Sequence, residues 1–142
     1  MPYASFINKS EIKKVSIYAV TAVGLGAALG AWLRWGLGAM LNPVFPTLPF
    51  GTLAANIMGG YLVGVAVEYF SHNTTLPPEG RLFIITGFLG GLTTFSTFSA
   101  ETVALLLREQ YGWAFTIVFS HLAGSLAMTV LGILTIKWLV QH

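Results

Sequence analysis

The sixteen residues TGFLGGLTTFSTFSAE, Thr86–Glu101, decide how this chain is read. They overlap an uncharged run, Leu82–Ala100, of 19 residues, about the length that crosses the hydrocarbon core of a bilayer as a helix. Gly90 and Gly91 sit at its middle, and Thr93, Thr94, Ser96, Thr97 and Ser99 then place five hydroxyls within seven residues. Hydroxyl side chains compete for nearby backbone groups, so the segment predicts a membrane helix broken near its middle. In lipid such a break is tolerated only where protein or water satisfies the freed backbone. Two readings are open. One is a discontinuous helix offering carbonyls and amides to an ion, as in transporter sites. The other is a kink packed against a neighbour.

Working outward, three further runs lack charge: Val15–Leu33 (19 residues), Trp35–Val67 (33) and Gln110–Ile136 (27). Pro43, Pro46 and Pro49 split the second into a helix end, a loop and a new helix. The expected fold is an all-α membrane protein: a single transmembrane domain over residues 1–142 with four helices, at about 15–41, 50–70, 81–108 and 112–139. Composition agrees. Of 142 residues 55% are hydrophobic and 8% charged, against about 25% charged in an average soluble domain. So few charges cannot cover a water-soluble globule. There is no Cys, which excludes a disulfide scaffold and a thiolate metal site. A net charge of +2 is too small for a nucleic-acid footprint. The chain has no Asp, and His72, His121 and His142 lie on separate segments without metal-ligand spacing. No HExxH, GxSxG or phosphate-binding glycine loop occurs. Catalysis is therefore not expected, which leaves transport or a structural membrane role.

The basic segment Met1–Ser16 precedes an apolar run that is longer than a signal peptide's and resumes straight after Arg34, with Gly24, Gly26 and Gly30 inside it, so a mature first helix is expected. With four spans, Lys9, Lys13, Lys14, Arg81 and Lys137 share one side and Arg34 and Arg108 the other. That bias favours the first side facing the cytoplasm, but it leans on the N-terminal lysines. Without them the count is balanced and sets no orientation.

Small residues recur at helix-contact spacing: Gly26 and Gly30, Gly60 and Gly64, Gly87 and Gly91, and Ser120, Gly124, Met128 and Gly132. They let helix backbones touch in lipid. Four short helices enclose little interior, so oligomerisation is expected. Several polar or aromatic groups fall at membrane depth. Asn56 offers two donors and an acceptor, for packing or for a pathway. His121, Ser125 and Thr129 form one stripe; its hydroxyls either bond the preceding turn or face a path. Phe95 and Phe98 share a helix face, and ring edges carry partial positive charge; they either pack or line an anion's route. Arg34 and Glu101 are charges at depth, and ionisable groups there tend to be paired or functional. A pair between these two is one arrangement to look for. Glu68, near His72 at a helix end, is expected to face headgroups.

The residues also carry a resemblance. GTLAANIMGG (Gly51–Gly60), TGFLGGLTTFSTFSAE (Thr86–Glu101), GAWLRW (Gly30–Trp35) and HLAGSLAMT (His121–Thr129) resemble the Fluc (CrcB) family of fluoride channels, from about Gly24 to Gly132. The resemblance implies a passive fluoride channel in the bacterial inner membrane. It implies an antiparallel, dual-topology homodimer with two pores and a central structural sodium ion, exporting toxic fluoride. In that picture Asn56 donates to fluoride and Phe95 and Phe98 supply ring edges. Ser125 and Thr129 form a polar track, with Thr97 and His121 beside the path. Arg34 and Glu101 match embedded charges, Arg34 near a vestibule. The backbone carbonyls of Gly90 and Thr93 hold the sodium. His121 stands where some members have serine, which raises a pH effect.

Two alternatives have distinct signatures. A small multidrug exporter coupled to protons needs a carboxylate deep in its first helix, and Val15–Leu33 has none. A non-conducting packing subunit would tolerate apolar replacement of its polar residues without loss of transport.

Overall fold

The computed structural model describes residues 17–73 and 76–141, most of them helical. The expected helix start at 15, the lysines Lys9, Lys13 and Lys14, and His142 lie outside the described residues. The elements in order are α1 (Ile17–Leu41), a 3-10 turn (Asn42–Val44), α2 (Phe50–His72), α3 (Pro78–Arg81), a π-helical stretch (Leu82–Leu89), α4 (Gly90–Leu92), α5 (Phe95–Leu107) and α6 (Tyr111–Gln141). They make four helical spans long and apolar enough to cross a membrane: Ile17–Val44, Phe50–His72, Pro78–Leu107 and Tyr111–Gln141.

The ends have local causes. Asn42 precedes Pro43, and a residue before proline is disfavoured in the α conformation. Asn42 then turns back, its Oδ1 accepting the Gly51 N–H at 2.8 Å near the start of α2. α2 runs to His72 rather than ending at 70. His72 Nε2 lies 3.0 Å from Glu68 Oε1 one turn earlier, and Ser71 donates to Glu68 O, contacts that prolong the last turn. The third span starts at Pro78 rather than 81, because proline is pre-organised for the first helical turn. Arg81 reaches back to donate to Phe70 O at 3.0 Å and Asn73 O at 2.9 Å, with its guanidinium 5.4 Å from the Phe70 ring centre. It thereby ties off the carbonyl end of α2, where a cation is favourable. Glu109, with φ of 58°, closes α5: its N–H donates to Leu106 O, and Gln110 N–H donates to Leu105 O, the paired bonds of a left-handed helix cap.

Inside the third span the ladder is irregular. Leu82–Leu89 is π-helical, and Thr93 (φ −78°, ψ 154°) and Thr94 (φ −150°, ψ 119°) are extended. Thr94 Oγ1 accepts the Thr97 N–H at 3.1 Å and so caps α5, the usual service of threonine at a helix start.

Two glycine seams hold the bundle. α1 lies against the third span, where a Cβ added at Gly26 or Gly30 would fall on the backbone of Phe83 or Phe88, and one at Gly87 would meet Val23 O at 2.7 Å. α2 lies against α6, where a Cβ at Gly60 would meet Ser125 O at 2.8 Å, and those at Gly64 and Gly132 would fall on Thr129 O and Tyr61 O. Leu89, Leu92, Ala55 and Ile117 are buried within the bundle, while Trp32, Phe115, Leu126 and Trp138 are among many large apolar side chains left exposed. An apolar surface of this extent belongs in lipid or against another membrane chain.

Candidate ion pathway

The extended pair Thr93–Thr94 frees backbone groups in the middle of a membrane span. Asn56 on α2 answers both backbone polar groups of one residue, Thr94. Its Oδ1 accepts the Thr94 N–H at 2.7 Å, and its Nδ2 donates to Thr94 O at 3.0 Å. A carboxamide is suited to this because it carries a donor and an acceptor side by side. Asn56 Nδ2 also lies 3.0 Å from His121 Nδ1 on α6. Three helical elements therefore converge on one amide.

A groove of about 350 Å³ opens beside this junction, lined among others by Asn56, Thr93, Thr94, Phe95, Phe98, His121, Ser125 and Thr129. Phe95 is 76% exposed along it, whereas Phe98 is buried. Their ring centres are 5.5 Å apart, and Phe98 lies 4.8 Å from the His121 ring. The Thr129 hydroxyl is within hydrogen-bond reach of Gly60 O (3.0 Å) and Ser125 O (2.9 Å), so it must release the backbone before it can donate elsewhere. Among the described residues no Lys, Arg, Asp or Glu lines this groove. An anion in it would meet an amide, hydroxyls, an imidazole and ring edges, none of them permanently charged.

A second cavity of about 240 Å³ is lined by Arg34, Trp35, Gly38, Ala39, Asn42, Thr52, Thr94 and Thr97. Thr94 lines both cavities. Six of the expected site residues, Asn56, Phe95, Phe98, His121, Ser125 and Thr129, thus share the first groove with Thr93, while Arg34 and Thr97 border the second. Gly90 borders neither.

The pair looked for between Arg34 and Glu101 is not made. Arg34 Nε donates to Gly91 O at 3.0 Å, and Glu101 Oε1 accepts from the Thr52 hydroxyl at 2.6 Å. The reason is local: the last carbonyls of α4 lack helical partners, and a guanidinium can satisfy one without a counter-charge. The other oxygen of Glu101, Oε2, is buried without a hydrogen-bond partner among the described residues. Thr52→Val should leave both carboxyl oxygens unbonded and cost about 1–3 kcal/mol, read as a lower unfolding temperature in detergent. Thr52→Ser, which restores a hydroxyl, should recover most of that loss.

Thr52 and Asn42 are not singled out by the sequence, and Thr94 enters there only as one of five clustered hydroxyls. The one available signal was at Thr94, a threonine three residues before Thr97 at the start of a helical run, which is N-cap spacing. Thr52 and Asn42 carried no such signal, since their partners are distant in sequence. Among the described residues no group of three or more His, Cys, Asp or Glu side chains could hold a metal.

Fold and groove together define a small multi-pass membrane protein with neutral polar groups gathered at membrane depth. Residues 21–133 match the family described as CrcB-like protein, Camphor Resistance (CrcB), and the chain belongs to that family. It is 73% identical over 128 residues to a fluoride-specific ion channel FluC of Nitrosospira multiformis, covering 90% of this chain and all of the relative. It is 60% identical over 118 residues to a protein of the same name from Cupriavidus pinatubonensis (83% of this chain, 94% of the relative). A third, from Thiobacillus denitrificans, is 57% identical over 121 residues (85% and 98%). The resemblance read from the sequence motifs is borne out by these matches.

Proposed function

We propose that this protein is a fluoride-selective passive channel that lets fluoride leave the cytoplasm across the bacterial inner membrane. The observation that carries the reading is the groove of neutral donors around Asn56, Phe95, Phe98, Ser125 and Thr129, in a chain whose relatives are named fluoride-specific ion channels. Fluoride is small and strongly hydrated. A pore must replace its water with donors, yet bind weakly enough to let it go. Amide, hydroxyl and ring-edge donors meet both demands, whereas a lysine in the groove would trap the ion. His121 borders the same groove. Arg34, at the second cavity, concentrates anions near the entrance, with Thr97 and Thr94 between the two spaces. Glu101, held by Thr52, stands near the path without facing the groove.

The working unit in this reading is an antiparallel homodimer inserted in both orientations, with two pores. Phe95, 76% exposed in the single chain, gains cover from the second copy. The Thr93–Thr94 interruption divides the third span functionally. In this reading the Gly90 and Thr93 carbonyls lie beside that interruption, where oxygen donors suit a hard cation. Arg34 and Asn56 occupy the neighbouring carbonyls of Gly91 and Thr94. Two oxygens from one chain are too few for a sodium ion, and the matching pair from the second copy completes the set. Sodium there would supply a fixed charge that joins the two breaks.

Phe95→Ile and Phe98→Ile test the pathway. Each keeps bulk and apolarity but removes the ring edge. Fluoride flux into or out of liposomes should fall by at least about 10-fold, the loss of roughly 1.4 kcal/mol of ion stabilisation, while each variant still elutes as a dimer. Full flux in both variants would remove the phenylalanines from the path. A packing subunit would release no fluoride with or without these substitutions.

A further inference from the structure

The amide of Asn56 is fully engaged. Oδ1 accepts from Thr94 N–H at 2.7 Å, while Nδ2 faces Thr94 O and His121 Nδ1, each at 3.0 Å. An amide nitrogen carries two hydrogens, and both now have acceptors. The amide cannot be turned over, because that would set Nδ2 against the Thr94 N–H and Oδ1 against the Thr94 carbonyl. Amide and imidazole assignments follow from their hydrogen-bond network, and at this site the N–H and C=O of Thr94 fix that network. His121 Nδ1 must therefore be the acceptor. A neutral imidazole that accepts at Nδ1 carries its proton on Nε2.

In this arrangement Asn56 has no N–H left for an anion. We propose that His121 is a positioning residue for Asn56: it holds the second amide hydrogen away from the ion path and releases it when the imidazole is protonated. A protonated imidazole donates from both nitrogens and accepts at neither. The Asn56 N–H and the His121 Nδ1–H would then point into the same gap, where two donors suit a small anion and repel each other without one. The proposal deepens the fluoride-channel reading and rests on it.

The surroundings support a switch confined to this pair. His121 is buried, packs at a tilt against Phe98 with ring centres 4.8 Å apart, and borders both the groove and a small pocket behind it lined by Leu48 and Ile117. The ring is therefore held where it is. α2 and α5 pack against α6, and their ionisable groups are engaged elsewhere: Glu101 with Thr52, Tyr61 with Thr135, and Glu68 with His72, while Tyr69 lines a separate apolar groove. On α6 itself Tyr111 and Lys137 lie near its two ends, and Arg34 is bonded to Gly91 O. None of these groups lines either space that His121 borders.

The test is the unitary fluoride current in planar bilayers, with equal pH on both sides, for the wild type and His121→Gln. Current is the right readout because neutral HF crosses lipid without carrying charge. Between about pH 8 and about pH 4.5, wild-type current should rise by at least about 3-fold. Glutamine can accept from Asn56 but cannot become cationic, so its current should be flat over that range. A second measurement needs no variant: the ¹⁵N signals of the wild-type His121 ring at pH 8 should show Nδ1 bare and Nε2 protonated. A fluoride-selective wild type with a flat pH profile would overturn the proposal and leave the channel reading standing. So would a His121→Gln variant with the wild-type slope, or a proton on Nδ1. No fluoride current at any pH, in folded dimeric protein, would overturn the channel reading, and the role of His121 with it.

Discussion

Asn56→Asp should abolish fluoride conduction, and by two routes that can be measured separately. The first is electrostatic. An ionised carboxylate about 4 Å from a fluoride ion opposes it by about 4 kcal/mol at the effective dielectric of a protein site, close to a thousandfold loss of occupancy. The second is structural. The replaced Nδ2 currently donates to Thr94 O at 3.0 Å. A carboxylate there sets two acceptors face to face and strands the Thr94 carbonyl at membrane depth, a further cost of about 1–3 kcal/mol. Flux should fall to the level of empty liposomes, and the unfolding temperature in detergent should drop as well. Conduction by a variant whose new carboxylate is shown to be ionised would remove Asn56 from the ion path.

Gly30→Ala should have the largest effect on assembly. A Cβ at this position would lie on Phe88 O, with Leu92 N at 2.7 Å and Gly91 C at 3.0 Å. All three are backbone atoms of the third span, so no rotamer change relieves the clash. α1 and the third span must separate, and overpacking of this kind costs about 1–3 kcal/mol or more. The separation also moves Arg34, one turn along α1, away from Gly91 O, so the disturbance reaches the residues just before the extended pair Thr93–Thr94. The expected result is a sharply reduced yield of folded protein. Gly112→Ala is the control, because nothing lies within 4 Å of its added Cβ and alanine favours a helix over glycine. Equal yields from the two variants would show that the α1 seam is looser than its backbone contacts imply.

Hydropathy made the four spans legible because their length is dictated by the bilayer, and the three prolines of Pro43–Pro49 marked the first loop. Hydropathy reports depth in the membrane and says nothing of which way a residue faces. The small-residue spacings announced close approaches without naming partners: Gly26 and Gly30 meet the third span, while Gly60 and Gly64 meet α6. The π-helical stretch Leu82–Leu89 was illegible for the same reason, since an apolar run has the same composition in either kind of helix. At the site, residue types at depth drew attention to Asn56, His121 and the phenylalanines. The bond between Asn56 and Thr94 joins residues 38 apart in sequence, and no local pattern encodes it. Arg34 and Glu101 were conspicuous as charges, yet their partners are a carbonyl and a hydroxyl. Opposite charge alone was a poor guide where the backbone itself needed donors.

Selective passive conduction of fluoride is the claim on which the rest depends. The most direct measurement is release of fluoride and, in parallel, of chloride from liposomes holding the purified protein, with no proton gradient. Fluoride should leave rapidly down its own gradient while chloride is retained. Release of both ions alike, or of neither from protein shown to be folded and dimeric, would contradict a selective fluoride channel.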